Sequence, residues 1–242
     1  MSFKAANQSP DNCEDRPLGI LPAQEIHEII RAGRILCLEQ WEPDQVQPAS
    51  MDLRLGRTVF RLKASFLPGA CKTVSERLRD LCLHSFEIGD GAVLETGAVY
   101  LIPLLESLYL PDWISAAANP KSSTGRIDVF TRLITDYGTE FDNVRAGYHG
   151  PLFLEVSPKT FPILVRTGSR LSQIRFRAGM ASWSDHEMAE LHSTTALVDG
   201  PLDLSGGVGI SVDLSGGDEG VIGFRAKRHS GVIDVDRKNA YA

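Results

Sequence analysis

Apolar residues in this chain mostly alternate with polar ones, and helical spacing is confined to short stretches. Ile26, Ile29 and Ile30 share one face of a helix predicted over Pro22–Ala32, with Pro22 suited to its first turn and Gly33 to its stop. A second one-face helix, through Val74, Leu78 and Leu81, is predicted over Thr73–Leu83. Between them, Met51, Leu53 and Leu55 alternate with Asp52 and Arg54, which predicts a half-buried strand in which Asp52 accepts a structural hydrogen bond. Val59, Phe60 and Leu62 predict another strand. Leu94–Ile114 reads as strand, turn and strand with prolines at the edges. Leu152–Val156 follows a Gly147-Tyr148-His149-Gly150 turn, a further strand comes next, and then a segment from Gly168 to Gln173. A polar connector from Ala178 holds a helical turn at Ser184–Leu191. Short strands, few helices and frequent turn residues predict a mainly antiparallel β fold.

Composition supports this. Twenty-two glycines and thirteen prolines in 242 residues favour turns over a helical bundle. A net charge of −6 argues against a general nucleic-acid surface but leaves room for a local basic pocket. Cys13, Cys37, Cys71 and Cys82 form no C-x-x-C pair, so reduced and mostly buried thiols in a cytoplasmic protein are expected. No apolar run approaches the roughly 20 residues that span a membrane. The polar stretch 1–18 reads as a disordered leader. Gly209–Lys227 echoes Ala49–Lys63, each with Ser-apolar-Asp-Leu before a glycine turn, so residues 196–242 are expected to begin a second, incomplete copy of the domain at 19–178, after a connector at 179–195.

Two groups of residues could carry chemistry. Lys121-Ser122-Ser123-Thr124-Gly125-Arg126 offers two cations, hydroxyls and a glycine that lets backbone come close, a set suited either to phosphate or to a solvated turn. It lacks the spacing of a Walker loop. Glu155 is an acid on an apolar strand and shares a face with Phe153, so that face is either solvent, a salt bridge or a pocket. A carboxylate walled by apolar groups holds its proton to higher pH and can shuttle protons near neutrality.

In order, the Lys121–Arg126 cluster, a hairpin over Asp128–Gly147, the Val144–Gly150 turn, Leu154-Glu155 and Gly168–Phe176 resemble the dCTP deaminases of the dUTPase-like superfamily. The family patterns are R-S-S-x-x-R-x-G, I-D-P-G-[WY]-x-G, an L-E strand and G-x-x-I-x-Q-L-x-F, and the resemblance extends back to Gly19. It implies a distorted β-barrel or jelly-roll (β-clip) and hydrolysis of dCTP to dUTP and ammonia. Lys121, Ser122, Ser123, Gly125 and Arg126 would hold the triphosphate, Phe153 and Leu154 would meet the base through their backbone, and Gln173 would contact the nucleotide. Glu155 would carry the proton from water to departing ammonia. The resemblance further implies Mg2+ with the triphosphate, no catalytic zinc and a homotrimer, with no nucleic-acid polymer and no membrane as partner.

The sequence departs from the pattern at three places. Lys121 stands for the first arginine and gives up its bidentate geometry. Val144-Arg145-Ala146-Gly147 lacks the aspartate of I-D-P-G, for which Asp136, Glu140 and Asp142 are candidate substitutes. The family's C-terminal closing segment has no match after Phe176. A dUTP pyrophosphatase, which depends on the missing aspartate, and an inactive nucleotide-binding module are the alternatives.

Overall fold

The computed structural model describes residues 18–37, 39–179, 182–223 and 231–237. The leader expected at 1–18 lies, up to Pro17, outside the described residues, as do residues 224–227 of the expected repeat. In chain order the elements are β1 (Gly19–Ile20), α1 (Ala23–Arg31), β2 (Ile35–Cys37), β3 (Val46–Gln47), β4 (Ser50–Leu53) and β5 (Thr58–Leu62). Next come α2 (Val74–Leu81), β6 (Cys82–Glu87), β7 (Ala92–Leu94), β8 (Val99–Tyr109), β9 (Ile114–Pro120) and α3 (Ser122–Arg126). Then follow β10 (Val129–Thr135), β11 (Asn143–Val144), β12 (His149–Pro158), β13 (Ile163–Val165), β14 (Ser172–Ala178), α4 (Asp185–Thr194) and β15 (Ile233–Asp234).

The mainly β architecture is the one expected. One sheet runs β11-β9-β14-β4-β3 with β1 beside β14, and a second runs β10-β12-β8-β5-β6 with β2 beside β8. Both supply the main core, from Met51, Leu53 and Ile174 on one side to Ile102, Leu133 and Leu154 on the other. A smaller apolar cluster lies where Val74 and Leu78 of α2 cover Leu62, Leu101, Ile134 and Phe153 of the second sheet. Thr73 caps α2 through a reciprocal pair with Glu76, and Ser184 caps α4 in the same way with Glu187.

Three expectations change. The strand at Met51–Leu53 is buried on both faces, and Asp52 and Arg54 go inside with it. Arg54 can do so because Glu106 of β8 takes its Nε at 2.8 Å and its backbone N–H at 2.9 Å, while Gln45 donates to the same carboxylate at 2.8 Å. Pro103 sits inside β8, not at an edge, and β12 answers with a register shift between Pro151 and Phe153. Asp128–Gly147 does not close as a hairpin, since β10 joins β12 in the second sheet and β11 joins β9 in the first.

The described thiols are also less enclosed than expected. Cys71 is exposed and Cys37 and Cys82 are half-buried. Burial still pushes the Cys37 thiol up, and its sulfur accepts from Arg54 Nη2.

After α4 the chain stays open to solvent. Ile210, Val212 and Leu214 are all more than three-quarters exposed, and no strand is formed over 209–215. The chain then returns: β15 adds parallel to β13, with Ile233 N–H donating to Pro162 O at 3.0 Å. Arg166 holds Asp234 through two bonds of 2.7 and 2.9 Å, and Asp236 accepts from Arg166 and from Ser169 Oγ. The returning strand thereby clasps the turn that leads into Gly168–Gln173.

Candidate active site

The phosphate-type cluster is built on α3, a single helical turn. Thr124 is its buried anchor: Oγ1 donates to Leu171 O at 2.8 Å, and Lys121 N–H donates to the same carbonyl at 2.9 Å. Ser122, Ser123, Gly125 and Arg126 stand exposed around that anchor. A Cβ on Gly125 would meet nothing within 4 Å, so the space beside its backbone is open to a ligand. The bonds to Leu171 tie the cluster to the Gly168–Gln173 segment, two motifs far apart in sequence.

Lys121 is already engaged, because its ammonium pairs with Asp52 Oδ2. Asp52 is buried; Arg170 Nη1 lies 3.6 Å from the same oxygen, and Oδ1 has no partner. Gln173 is half-buried on β14, opposite Asp52 in register, and its Oε1 accepts from Ser50 Oγ at 3.3 Å. Lys121, Arg170 and Gln173 therefore converge on β4. Asp52 was expected to accept a hydrogen bond; its partner and the role of Arg170 were not visible, because both depend on strand register.

Glu155 lies on β12 in the second sheet, 1% exposed. Its cross-strand partners are Arg132 on β10 and Leu101 on β8, and Phe60 on β5 lies opposite Leu101. Of the alternatives left open by the sequence, the structure excludes solvent and shows a buried salt bridge. Arg132 donates from Nε and Nη2 to Oε1 at 3.0 and 2.6 Å, which offsets the cost of burying the carboxylate. Oε2 is buried without a partner. Arg132 was missed; the available signal was a basic residue on a second core strand near Glu155.

Phe153 and Leu154 precede Glu155, both buried, with β12 flanked by β10 and β8. Pro103 stands opposite Phe153 and offers the ladder no N–H, which loosens backbone pairing there.

The three candidate replacements for the turn aspartate also separate. Asp136 accepts from Val74 N–H at the start of α2, and Glu140 accepts from Asn143 in solvent. Asp142 accepts from Leu133 N–H at 2.7 Å; burial pushes its pKa up, the Leu133 bond and Arg132 oppose this, and Glu155 adds to it. Asp142 thus senses the Arg132–Glu155 pair.

Tyr148 locks the turn before β12. It is buried, its hydroxyl donates to Pro151 O at 2.6 Å and accepts from Asp136 N–H at 3.1 Å, and burial drives its ionisation well above the usual range. Gly147 has φ 70°, and a Cβ there would stand 2.5 Å from Asp112 Oδ1.

Among the described residues, no group of three or more His, Cys, Asp or Glu is placed to hold a metal, and no helix is long and apolar enough to cross a membrane. Among the described residues, no hydrogen bond or ion pair joins Glu155 to the Lys121–Arg126 group, which is tied to Leu171 and Asp52 instead. A depression of about 550 Å3 beside Arg34, Tyr109 and His149, and another of about 180 Å3 beside Asp136 and Arg145, include neither group.

Comparison with known proteins bears on this arrangement. The family model for the N-terminal domain of 2'-deoxycytidine 5'-triphosphate deaminase matches residues 17–180, and that for its C-terminal domain matches residues 184–242. A protein of Coprothermobacter proteolyticus named dCTP deaminase, dUMP-forming, is 29% identical over 152 residues, 62% of this chain and 77% of its own. One of the same name from Methanoculleus marisnigri is 30% identical over 159 residues, 65% of this chain and 79% of its own. The crystal structure of 2'-deoxycytidine 5'-triphosphate deaminase from Agrobacterium tumefaciens superposes with a TM-score of 0.85 at 50% identity, covering 94% of this chain and 68% of that one. The buried acid, the serine-bearing turn and the glutamine strand therefore sit in a chain that belongs to the dCTP deaminase family.

Proposed function

We propose that the protein deaminates dCTP hydrolytically, giving dUTP and ammonia. The observation that carries this reading is Glu155, a buried carboxylate with one oxygen fixed by Arg132 and the other unpartnered. A buried acceptor without a partner is costly, and a proton-bearing substrate group or water relieves that cost. Glu155 takes a proton from water as the water oxygen bonds to C4 of cytosine. The proton then passes to the amino nitrogen, the C4–N bond breaks, ammonia leaves, the remaining hydroxyl proton moves to N3 and the carboxylate is regenerated.

Ser122, Ser123, Gly125 and Arg126 bind the triphosphate, with Lys121 held ready by Asp52, and Gln173 contacts the nucleotide. Phe153 and Leu154 meet the base where the ladder is loosened beside Pro103. Mg2+ enters as part of the substrate, bound to its phosphates, and no zinc takes part. A homotrimer, with sites completed between subunits, belongs to the same proposal, and mass measurement in solution with and without nucleotide tests it. A cytoplasmic location follows from the nucleotide substrate. Residues 196–242 as the start of a second copy of the domain belong to the same proposal, supported by the shared Ser-apolar-Asp-Leu pattern of Gly209–Lys227 and Ala49–Lys63.

The test is incubation with dCTP and magnesium, followed for ammonia and for the nucleotide product. Glu155→Gln lowers turnover by about 10²–10⁴-fold with dCTP still bound, and unchanged turnover refutes the mechanism. The curated relatives are named dUMP-forming, so a second hydrolysis is a distinct outcome of the same assay. Release of pyrophosphate along with ammonia identifies it. Saturable binding without either product supports the inactive module instead.

A further inference from the structure

The two oxygens of Glu155 have unlike surroundings, and one side chain makes them so. Both bonds from Arg132 go to Oε1, at 3.0 and 2.6 Å, and none goes to Oε2. Arg132 is itself fixed from two further sides. Its Nη2 donates to Ser65 Oγ at 2.5 Å, and its guanidinium carbon lies 3.7 Å from the centre of the Phe141 ring. Phe130, two residues before it on the same face of β10, is 5.0 Å away. A free carboxylate exchanges its oxygens by rotation about its terminal bond; one gripped at a single oxygen by two donors does not.

We propose that Arg132 is a positioning residue for the proton transfer: by occupying Oε1 it fixes the carboxylate plane and reserves Oε2 as the oxygen that carries the proton. The inference rests on the deaminase reading of Glu155 and adds a residue to it. The two bonds from the guanidinium to Oε1 survive when Oε2 takes the proton. The step balances when both water protons are followed: the water oxygen joins C4, one proton passes through Oε2 to the amino nitrogen, the C4–N bond breaks as ammonia leaves, and the remaining hydroxyl proton moves to N3 of the product. Arg132 exchanges none.

The other charged groups facing this pair are few. Asp142, on the turn before β11, interacts electrostatically with both Arg132 and Glu155. Lys159, at the end of β12, donates to Ser157 Oγ at 3.0 Å and lies 5.6 Å from the Phe130 ring. Neither reaches Oε2.

The experiment compares unsubstituted protein, Arg132→Gln and Arg132→Lys in dCTP deamination from pH 5 to 9, with thermal melts to confirm folding. Arg132→Gln is expected to lower kcat by about 10²-fold, the effect of a misplaced catalytic group, with KM nearly unchanged. The acid limb of its profile moves to higher pH, because the carboxylate has lost its cation. Arg132→Lys returns the acid limb towards its original place without restoring full kcat, since one ammonium supplies the charge but not the two-bond grip. If Arg132→Gln fails to fold, Phe141→Leu and Ser65→Ala loosen the guanidinium alone and must lower kcat in the same direction. Wild-type kcat in the folded variants, an unmoved acid limb or a change confined to KM overturns the positioning role. Absence of turnover by the unsubstituted chain refutes the deaminase reading itself, a result distinguishable from any of these.

Discussion

Glu106→Ala removes the acceptor that joins the two sheets. The Glu106 side chain is fully buried and its carboxylate takes three bonds: from Arg54 Nε, from Arg54 N–H and from Gln45 Nε2, all within 2.9 Å. Without it, the guanidinium of Arg54, a side chain 4% exposed, keeps Gln40 O and Cys37 Sγ as its hydrogen-bond acceptors among the described residues. Breaking a buried pair from one side costs about 3–5 kcal/mol, against a typical total of about 5–15 kcal/mol. At roughly 2–4 °C per kcal/mol for a domain of this size, the melting temperature falls by about 6–20 °C. Urea unfolding followed by circular dichroism measures the loss directly. The double variant Arg54→Met/Glu106→Leu removes both charges at once and recovers part of the stability, because no buried charge is left unpaired although the backbone N–H at position 54 still loses its acceptor. A single substitution costing less than about 1 kcal/mol, or a double no better than the single, refutes the reasoning.

Three further outcomes follow from the site. Asp142→Asn keeps the acceptor for Leu133 N–H and removes a carboxyl whose folded form holds its proton more tightly than the unfolded one. Wild-type stability therefore declines as pH rises above the ordinary aspartate range, and the variant, measured by melting from pH 3 to 8, loses that decline and is at least as stable at pH 7. Tyr148→Phe deprives Pro151 O of its donor and Asp136 N–H of its acceptor, at a cost of about 1–3 kcal/mol read by denaturant titration. Lys121→Met leaves the Asp52 carboxylate with Arg170 alone, so it lowers melting temperature and weakens dCTP binding together, whereas Ser123→Ala, on the exposed face of α3, raises KM without changing the melt.

Periodicity made α1, α2, the β4 region and the β12 strand legible, since a run such as Ile26, Ile29 and Ile30 has one way to hide its apolar side. Glu155 was conspicuous for the same reason: an acid among Phe153, Leu154 and Val156 needs an explanation. What escaped is set by pairing between distant strands. Arg132 faces Glu155 only because β10 and β12 align in one register, and a slip of one residue would turn it to the other side. Asp52 and Arg54 read as the outer positions of a half-buried strand, yet both go inside, because Lys121 and Glu106 arrive from elsewhere in the chain to meet them. The Asp128–Gly147 stretch misled because proximity in sequence suggested that its strands pair, while each found a partner in a different sheet.

The return of β15 to β13 has a consequence for how the molecule responds to being cut. A single break within the exposed residues 196–223 severs the covalent route to Ile233–Asp236 but leaves the parallel ladder and the Arg166 ion pairs intact. The strand then changes from a tethered ligand at high effective concentration to a free peptide, whose occupancy falls on dilution. Nicked protein would lose its grip on the turn before Arg170 and Gln173 as a function of its own concentration, and a synthetic peptide spanning Gly231–Arg237 would restore it.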